Sequence, residues 1–263
     1  MQAQSALTPL KMAELTWFEY QRRLEEDAPI LMLPTGSIEQ HGPHLPLITD
    51  TLIAEMISER VAALIGAIVA SPFAYGYKSQ PKSGGGNHFC GTTSLDGATY
   101  SAMLRDVICE FARHGVRKLV IVDGHCENGM FLVEGIDLAL RQLRYAGIED
   151  LKVVKLGYWE FINQQTEDVL FPDGLSNWDL EHAAMMETSV MLHLRPDLVR
   201  KELIPNHAPA NFPPYDVFPI DTRPIPPDGV LSSIVDASAE KGAIVVEQVV
   251  SAIASALTNE FAS

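Results

Sequence analysis

Cysteine is scarce in this chain of 263 residues. Cys90, Cys109 and Cys126 are too few and too unevenly spaced to staple a fold, and an odd number suits a reducing compartment better than a secreted one. Basic residues are scarce too: 19 against 34 acidic ones leave a net charge of −15, with no run of Lys or Arg. Nothing is present to neutralise phosphates, so neither nucleic acid nor an anionic membrane is an expected partner. Long apolar runs are also lacking. The longest, Val61 to Ala70, is about half a membrane span and stops at Ser71-Pro72. The opening residues, MQAQSALTPLKM, have neither the charged start nor the apolar stretch of a secretory signal. The expected location is the cytoplasm.

What is present is an ordinary globular composition, 47% apolar and 20% charged, at a length that fits one large α/β domain over 1–263. Thr16 is placed to cap a short helix whose apolar face includes Trp17, Tyr20 and Leu24. Pro29 to Pro34 is a continuous apolar run of strand length, as a strand buried on both faces requires. Asp50 stands at an N-cap position before a helical pattern from Thr51 to Ile65, which Gly66 stops. Ala67–Ala70 reads as a second strand. The Gly-, Ser- and Pro-rich stretch 72–93 has no period and reads as a long loop, a kind usually functional in compact domains.

Asp96 is placed to cap a helix to about His114, with Gly115 as its left-handed stop. Lys118–Val122 is the clearest buried strand, 128–145 is helical, and Leu151–Leu156 is a fourth strand. Strands alternating with helices predict a parallel sheet covered on both faces. Later, a helix around 181–194, a Pro-rich irregular stretch 205–227 and an amphipathic helix 237–261 complete the chain.

In such sheets ligands bind in the loops at the carboxyl ends of the strands. Two of these loops carry the same chemistry: Glu39-Gln-His41 after the first strand, and His125-Cys-Glu127 after the Lys118–Val122 strand. In extended backbone a spacing of two puts both side chains on one side and turns Cys126 to the other, which suits a site-lining or buried role better than that of ligand or nucleophile. Imidazole with carboxylate suits Zn²⁺ or Mn²⁺ better than Ca²⁺ or Mg²⁺. Glu39, His41, Asp50, His125 and Glu127 suffice for two ions if Asp50, which has no partner nearby in sequence, bridges them. A shared hydroxide on such a pair is a nucleophile for a carbonyl. Gly84-Gly-Gly86 lacks the Lys-Ser/Thr ending of a phosphate loop and reads as a flexible or closely approached segment. Before the 181–194 helix, Trp178-Asp179 and Glu181-His182 suggest a flat substrate beside a proton-transferring histidine. Glu187 is expected to support that site from behind. His44, His88, His114, His193 and His207 read as loop, cap or surface residues.

These stretches together resemble the creatininase family. The likeness is carried by Leu33-Pro-Thr-Gly-Ser-Ile-Glu-Gln-His-Gly42, Tyr75–Asp96, Asp123-Gly-His-Cys-Glu-Asn128, Val133–Leu140, Trp178-Asp-Leu-Glu-His182 and Phe212–Pro219. It runs over nearly the whole chain. The resemblance implies a three-layer α/β/α fold with a mostly parallel sheet, a Zn²⁺/Mn²⁺ pair, and a homohexamer built as a trimer of dimers. It places one metal on Glu39, Asp50 and His125 and the other on His41, Asp50 and Glu127. It gives Ser83, Trp159, Trp178, Asp179 and His182 to the substrate, with Trp178 on a mobile flap and proton transfer by His182 or Glu127. The implied reaction is the interconversion of creatinine and creatine. Cys126 departs from the family's Tyr at that position, which enlarges the expected pocket and bears on substrate identity. Two alternatives stay open: hydrolysis of another small cyclic or linear amide, and a metal-binding protein without turnover.

Overall fold

The computed structural model describes residues 11–175 and 177–262; most of the opening segment read for a targeting signal lies outside them. Four parallel strands form the sheet: β1 (Leu31–Thr35), β2 (Ile68–Val69), β3 (Lys118–Asp123) and β4 (Lys152–Gly157), in the order β2-β1-β3-β4. β1 and β3 lie side by side, with Leu31 opposite Leu119 and Thr35 opposite Asp123. From this central pair the chain winds outward in both directions, so the crevice beyond Thr35 and Asp123 is the switch point of a doubly wound sheet.

Successive strand residues point to opposite faces, and the core divides accordingly. Met32, Val120 and Val122 pack with α2 (Thr49–Ile65), α6 (Met185–Leu194) and α7 (Ala239–Phe261). Leu31, Leu33, Leu119 and Ile121 pack with α1 (Trp17–Glu26), α3 (Gly97–His114) and α4 (Gly129–Tyr145). This is the expected three-layer α/β/α arrangement. α7 is long and apolar enough to cross a membrane, yet its Val245, Val249 and Ile253 are fully buried against the sheet layer.

Several local expectations are corrected. Thr16 does cap α1 through a reciprocal box with Glu19, but Trp17 is 76% exposed and only Tyr20 of the named face is buried. Helix α2 starts one residue before Asp50, whose carboxylate makes no cap and turns inward instead. Asp96 holds the N-cap position of α3 without a cap hydrogen bond, its carboxylate being taken by Lys78. Gly66 and Gly115 do close α2 and α3 in the left-handed region. Helix α6 begins at Met185 rather than 181, because Ala183 (φ 54) and Ala184 (φ −102, ψ −148) are not helical. A short helix, α5 (Gln164–Leu170), was not anticipated. Loop 72–93 is not free: bridges pairing Thr35 with Phe73, Ile38 with Thr93 and Tyr77 with Leu95 lay it across the carboxyl edge of the sheet. His44 is fully buried, its Nε2 2.8 Å from Thr188 Oγ1, and is no surface group.

Candidate metal centre

The last residues of β1 and β3 are cross-braced: Thr35 Oγ1 donates to Asp123 Oδ1 at 2.9 Å. Asp123 also accepts from Asn128 Nδ2 at 3.0 Å and from the His125 N–H at 3.3 Å. The strand end thereby holds the turn that follows it. Beyond His125 the chain is not extended but forms a single tight turn, Cys126–Asn128. His125, Cys126 and Glu127 therefore fan into one pocket: Cys126 lines the site, as expected, but on the same side as its neighbours rather than opposite them.

Three carboxylates converge on His125 Nδ1: Glu39 Oε2 at 2.9 Å, Asp50 Oδ2 at 3.1 Å and Glu127 Oε2 at 3.5 Å. Two converge on His41 Nε2: Asp50 Oδ1 at 2.7 Å and Glu187 Oε2 at 3.7 Å. Asp50 faces each imidazole with a different oxygen, the geometry of a bridging ligand. Around His41 these contacts bring in Glu187, beside the set that the resemblance implied. Glu127 sits in the turn directly behind His125 and stays beside it, whereas the first turn of α6 carries Glu187 to His41. Glu187 also accepts the Ala183 N–H at 2.6 Å, which holds the left-handed residue ahead of the helix.

The ring orientations suit metal binding. His125 Nε2 lies 3.0 Å from the Tyr77 carbonyl and His41 Nδ1 3.1 Å from the Glu39 carbonyl. Each carbonyl takes one ring N–H and so directs the other nitrogen at the carboxylates, where it donates to them as the imidazolium and would, once that proton is lost, offer a lone pair to a metal. Glu39 Oε1 is buried with no hydrogen-bond partner among the described residues, and His41 Nε2 and Asp50 Oδ2 have only the ion-pair contacts just given. Burial lifts the Glu39 carboxyl to about 7 in spite of His125 beside it. Burial disfavours the His41 cation as well, but Asp50 and Glu187 outweigh it and carry the imidazole to about 10. Glu39, Asp50, Glu127 and Glu187 together match the charge of two divalent cations, which also satisfy the orphaned atoms. The triads Glu39/Asp50/His125 and His41/Asp50/Glu187 could each hold one, and a nitrogen-and-carboxylate set of this kind suits Zn²⁺ or Mn²⁺.

The family model for creatininase (creatinine amidohydrolase) matches residues 13–257. This chain belongs to the creatininase family. It is 53% identical to the creatinine amidohydrolase of Pseudomonas putida over 95% of its own length and 96% of that protein's. It is 35% identical to a mycofactocin precursor peptide peptidase of Mycolicibacterium smegmatis over 67% of its length and 62% of the peptidase. A crystal structure of creatinine amidohydrolase superposes with a TM-score of 0.95 at 53% identity, over 97% of this chain and 99% of that one. Solved creatininases of this similarity include a Zn-Zn form, a Mn form and a mutant complexed with creatine.

In this creatininase-family site the centre opens into a small cavity of about 140 Å³. Ser83, Trp159, Trp178, Asp179 and His182 all line it, with Glu181 and Glu187 at its back. Ser83 Oγ donates to Glu127 Oε1 at 2.7 Å, and the Cys126 thiol to Oε2 at 3.0 Å. Trp178 opens a short turn capped by Asn177 and meets Phe171 edge-on at 5.8 Å. Trp159 is packed over Gly157, where a Cβ would fall 2.6 Å from its ring. His182 lies with its ring 4.4 Å from that of His41 and its Nε2 2.8 Å from the Gln40 carbonyl. Burial, then the neighbouring His41, lowers its pKa to about 3, so the ring is neutral with Nδ1 as the free acceptor.

Sequence reasoning missed Gln40, which ties the site together. Its Nε2 donates to the Gly84 and Gly229 carbonyls at 3.0 and 2.9 Å, and its Oε1 accepts the Gly42 N–H at 2.9 Å. A polar residue between two ligands was the available signal. Glu187 was undervalued as mere support, since nothing in the local pattern shows α6 reaching His41.

Proposed function

We propose that this chain is a two-metal cyclic amidohydrolase that interconverts creatinine and creatine. The observation that carries the reading is Asp50, one oxygen toward each of two imidazoles whose tautomers are already set for ligation, in a chain 53% identical to a creatinine amidohydrolase. Zn²⁺ and Mn²⁺ are the ions the donor set suits. Once bound, they supply Lewis acidity at the amide carbonyl and a water activated for attack.

The protein's own part is positioning and proton transfer. Gln80 N–H, Ser83 and Cys126 pin the Glu127 carboxylate at the pocket wall, where it accepts a proton from water. Neutral His182, oriented by the Gln40 carbonyl, accepts a proton at Nδ1 and delivers it to the departing ring nitrogen. Asp179 offers a carboxylate to the cationic guanidine portion. Trp178 and Trp159 cover the planar ring and exclude water, with the Trp178 turn acting as the closing lid.

The proposal extends to a homohexamer in the cytoplasm. Three free cysteines support a reducing compartment. Exposed Trp17, Phe18, Met130 and Tyr145 supply apolar surface for an assembly to cover. The test is creatine formation from creatinine by the Zn²⁺- or Mn²⁺-loaded protein, repeated after chelation and after the ion is restored. Activity should vanish and return with the metal; inactivity with two ions bound per chain discards creatinine as the substrate.

A further inference from the structure

The small metal pocket shares a wall with a larger space. Ser83, Cys126, Glu127 and Asp179 line both it and a second cavity of about 460 Å³. At this shared wall stand a hydroxyl, a thiol and two carboxylates, and no bulky side chain. The far side of the second cavity is apolar, built by Phe212, Tyr215, Val217, Phe218 and Ile220 of the Pro-rich segment.

Away from the shared wall its charges are paired with one another or with a neighbour. Lys82, the cation among the described lining residues, is 2.8 Å from Asp216 Oδ1 and donates to the Tyr215 carbonyl at 2.8 Å. Asp221 is paired with Arg223 at 2.7 Å. The cavity thus offers no free cation to an anionic group, and it presents aromatic and aliphatic faces to whatever leaves the metal pocket past Cys126. A space of this size and lining gains affinity from burying apolar surface rather than from polar recognition.

We infer that this second cavity is a subsite for an apolar substituent on the substrate. The enzyme then takes cyclic acylguanidines whose ring nitrogen bears an aryl or branched alkyl group larger than methyl. The inference rests on the proposed cyclic amidohydrolase function and specifies its substrate class. The reaction balances as simple hydrolysis: water's oxygen bonds to the acyl carbon, the acyl carbon–nitrogen bond breaks, and the nitrogen takes the proton. The product is an N-substituted guanidino acid whose substituent remains in the apolar cavity.

The experiment compares creatinine with its counterpart carrying benzyl in place of methyl. Both are assayed with metal-loaded wild-type protein and with Val217→Trp and Ile220→Trp. These two positions are 49% and 45% exposed, so a larger side chain fills the cavity without entering the core. The expected result is a kcat/KM for the benzyl compound at least equal to that for creatinine. Each Trp variant should shift the ratio of the two values at least tenfold toward creatinine. A benzyl value a hundredfold below that for creatinine overturns the inference and leaves the proposed function standing. So does a ratio that neither variant changes. Hydrolysis of neither compound by protein carrying both ions refutes the proposed function, and the subsite with it.

Discussion

Replacing Gly84 with alanine should disable the metal centre with a single methyl group. A Cβ built at Gly84 lies 2.1 Å from Glu39 Oε1, 2.5 Å from Ser79 Oγ and 3.1 Å from Glu127 Oε1. To regain a contact of 3.4 Å, the Glu39 oxygen must retreat by about 1.3 Å. It has little room, being buried in the loop after β1 with its own N–H committed to the Leu47 carbonyl. Gly84 does not have the left-handed backbone of Gly85 (φ 74) and Gly86 (φ 99), so alanine adds steric bulk without backbone strain. Misplacement of a ligand by about 1 Å costs on the order of 10²-fold, or about 2.7 kcal/mol. Metal affinity at the Glu39/Asp50/His125 group should therefore fall by about 10- to 100-fold. Turnover should fall with it at limiting metal and recover partly in excess metal. Chelator competition, metal analysis and kcat/KM measured against added Mn²⁺ read the effect. Gly129→Ala, where a Cβ meets nothing within 4 Å, is the control and should change nothing. Wild-type affinity for both ions in Gly84→Ala would refute the close-approach argument.

Other outcomes follow from the same geometry. His182→Ala should keep its metals and lose turnover by about 10² to 10⁴; near-normal turnover removes His182 from the proton path. Saturation with metal at about 1,000 times its Kd should stabilise the fold by about 4 kcal/mol, raising Tm by roughly 10 °C, as a thermal melt with and without chelator would show. In Gly242→Ala the new Cβ would fall 1.9 Å from the Ser189 carbonyl where α7 crosses α6. Its cost, about 3 kcal/mol, should appear as a lower denaturation midpoint.

The centre of the sheet was legible because β1 and β3 are buried on both faces. Leu31–Leu33 and Leu119–Val122 stand out as unbroken apolar runs, and their loops display the two His–Glu pairs. What local pattern could not show was set by contacts distant in sequence. Asp50 was expected both to cap and to bridge; the helix starts one residue earlier, so only the cap fails and the carboxylate faces two imidazoles. Glu187 lies far along the chain from His41 and reaches it only through the docking of α6, where residues on every side are buried and periodicity carries little information. Cys126 was misdirected because a tight turn replaced the assumed extended backbone.

The pairing of Thr35 with Asp123 has a consequence for how such a protein can change its occupation. Neighbouring strands stand about 4.8 Å apart, a spacing that the main-chain ladder holds fixed. Main-chain hydrogen bonding thus gauges the distance between the two ligand loops, independently of any side chain that meets substrate. Many residues that line the two cavities belong to other segments: Ser83 in 72–93, Trp178 and Asp179 before α6, and the 212–224 stretch. Mutation can redraw those segments and retune selectivity while the hydrolytic apparatus keeps its spacing. Conversely, a change that loosens the β1–β3 ladder would disarm the enzyme toward every substrate at once.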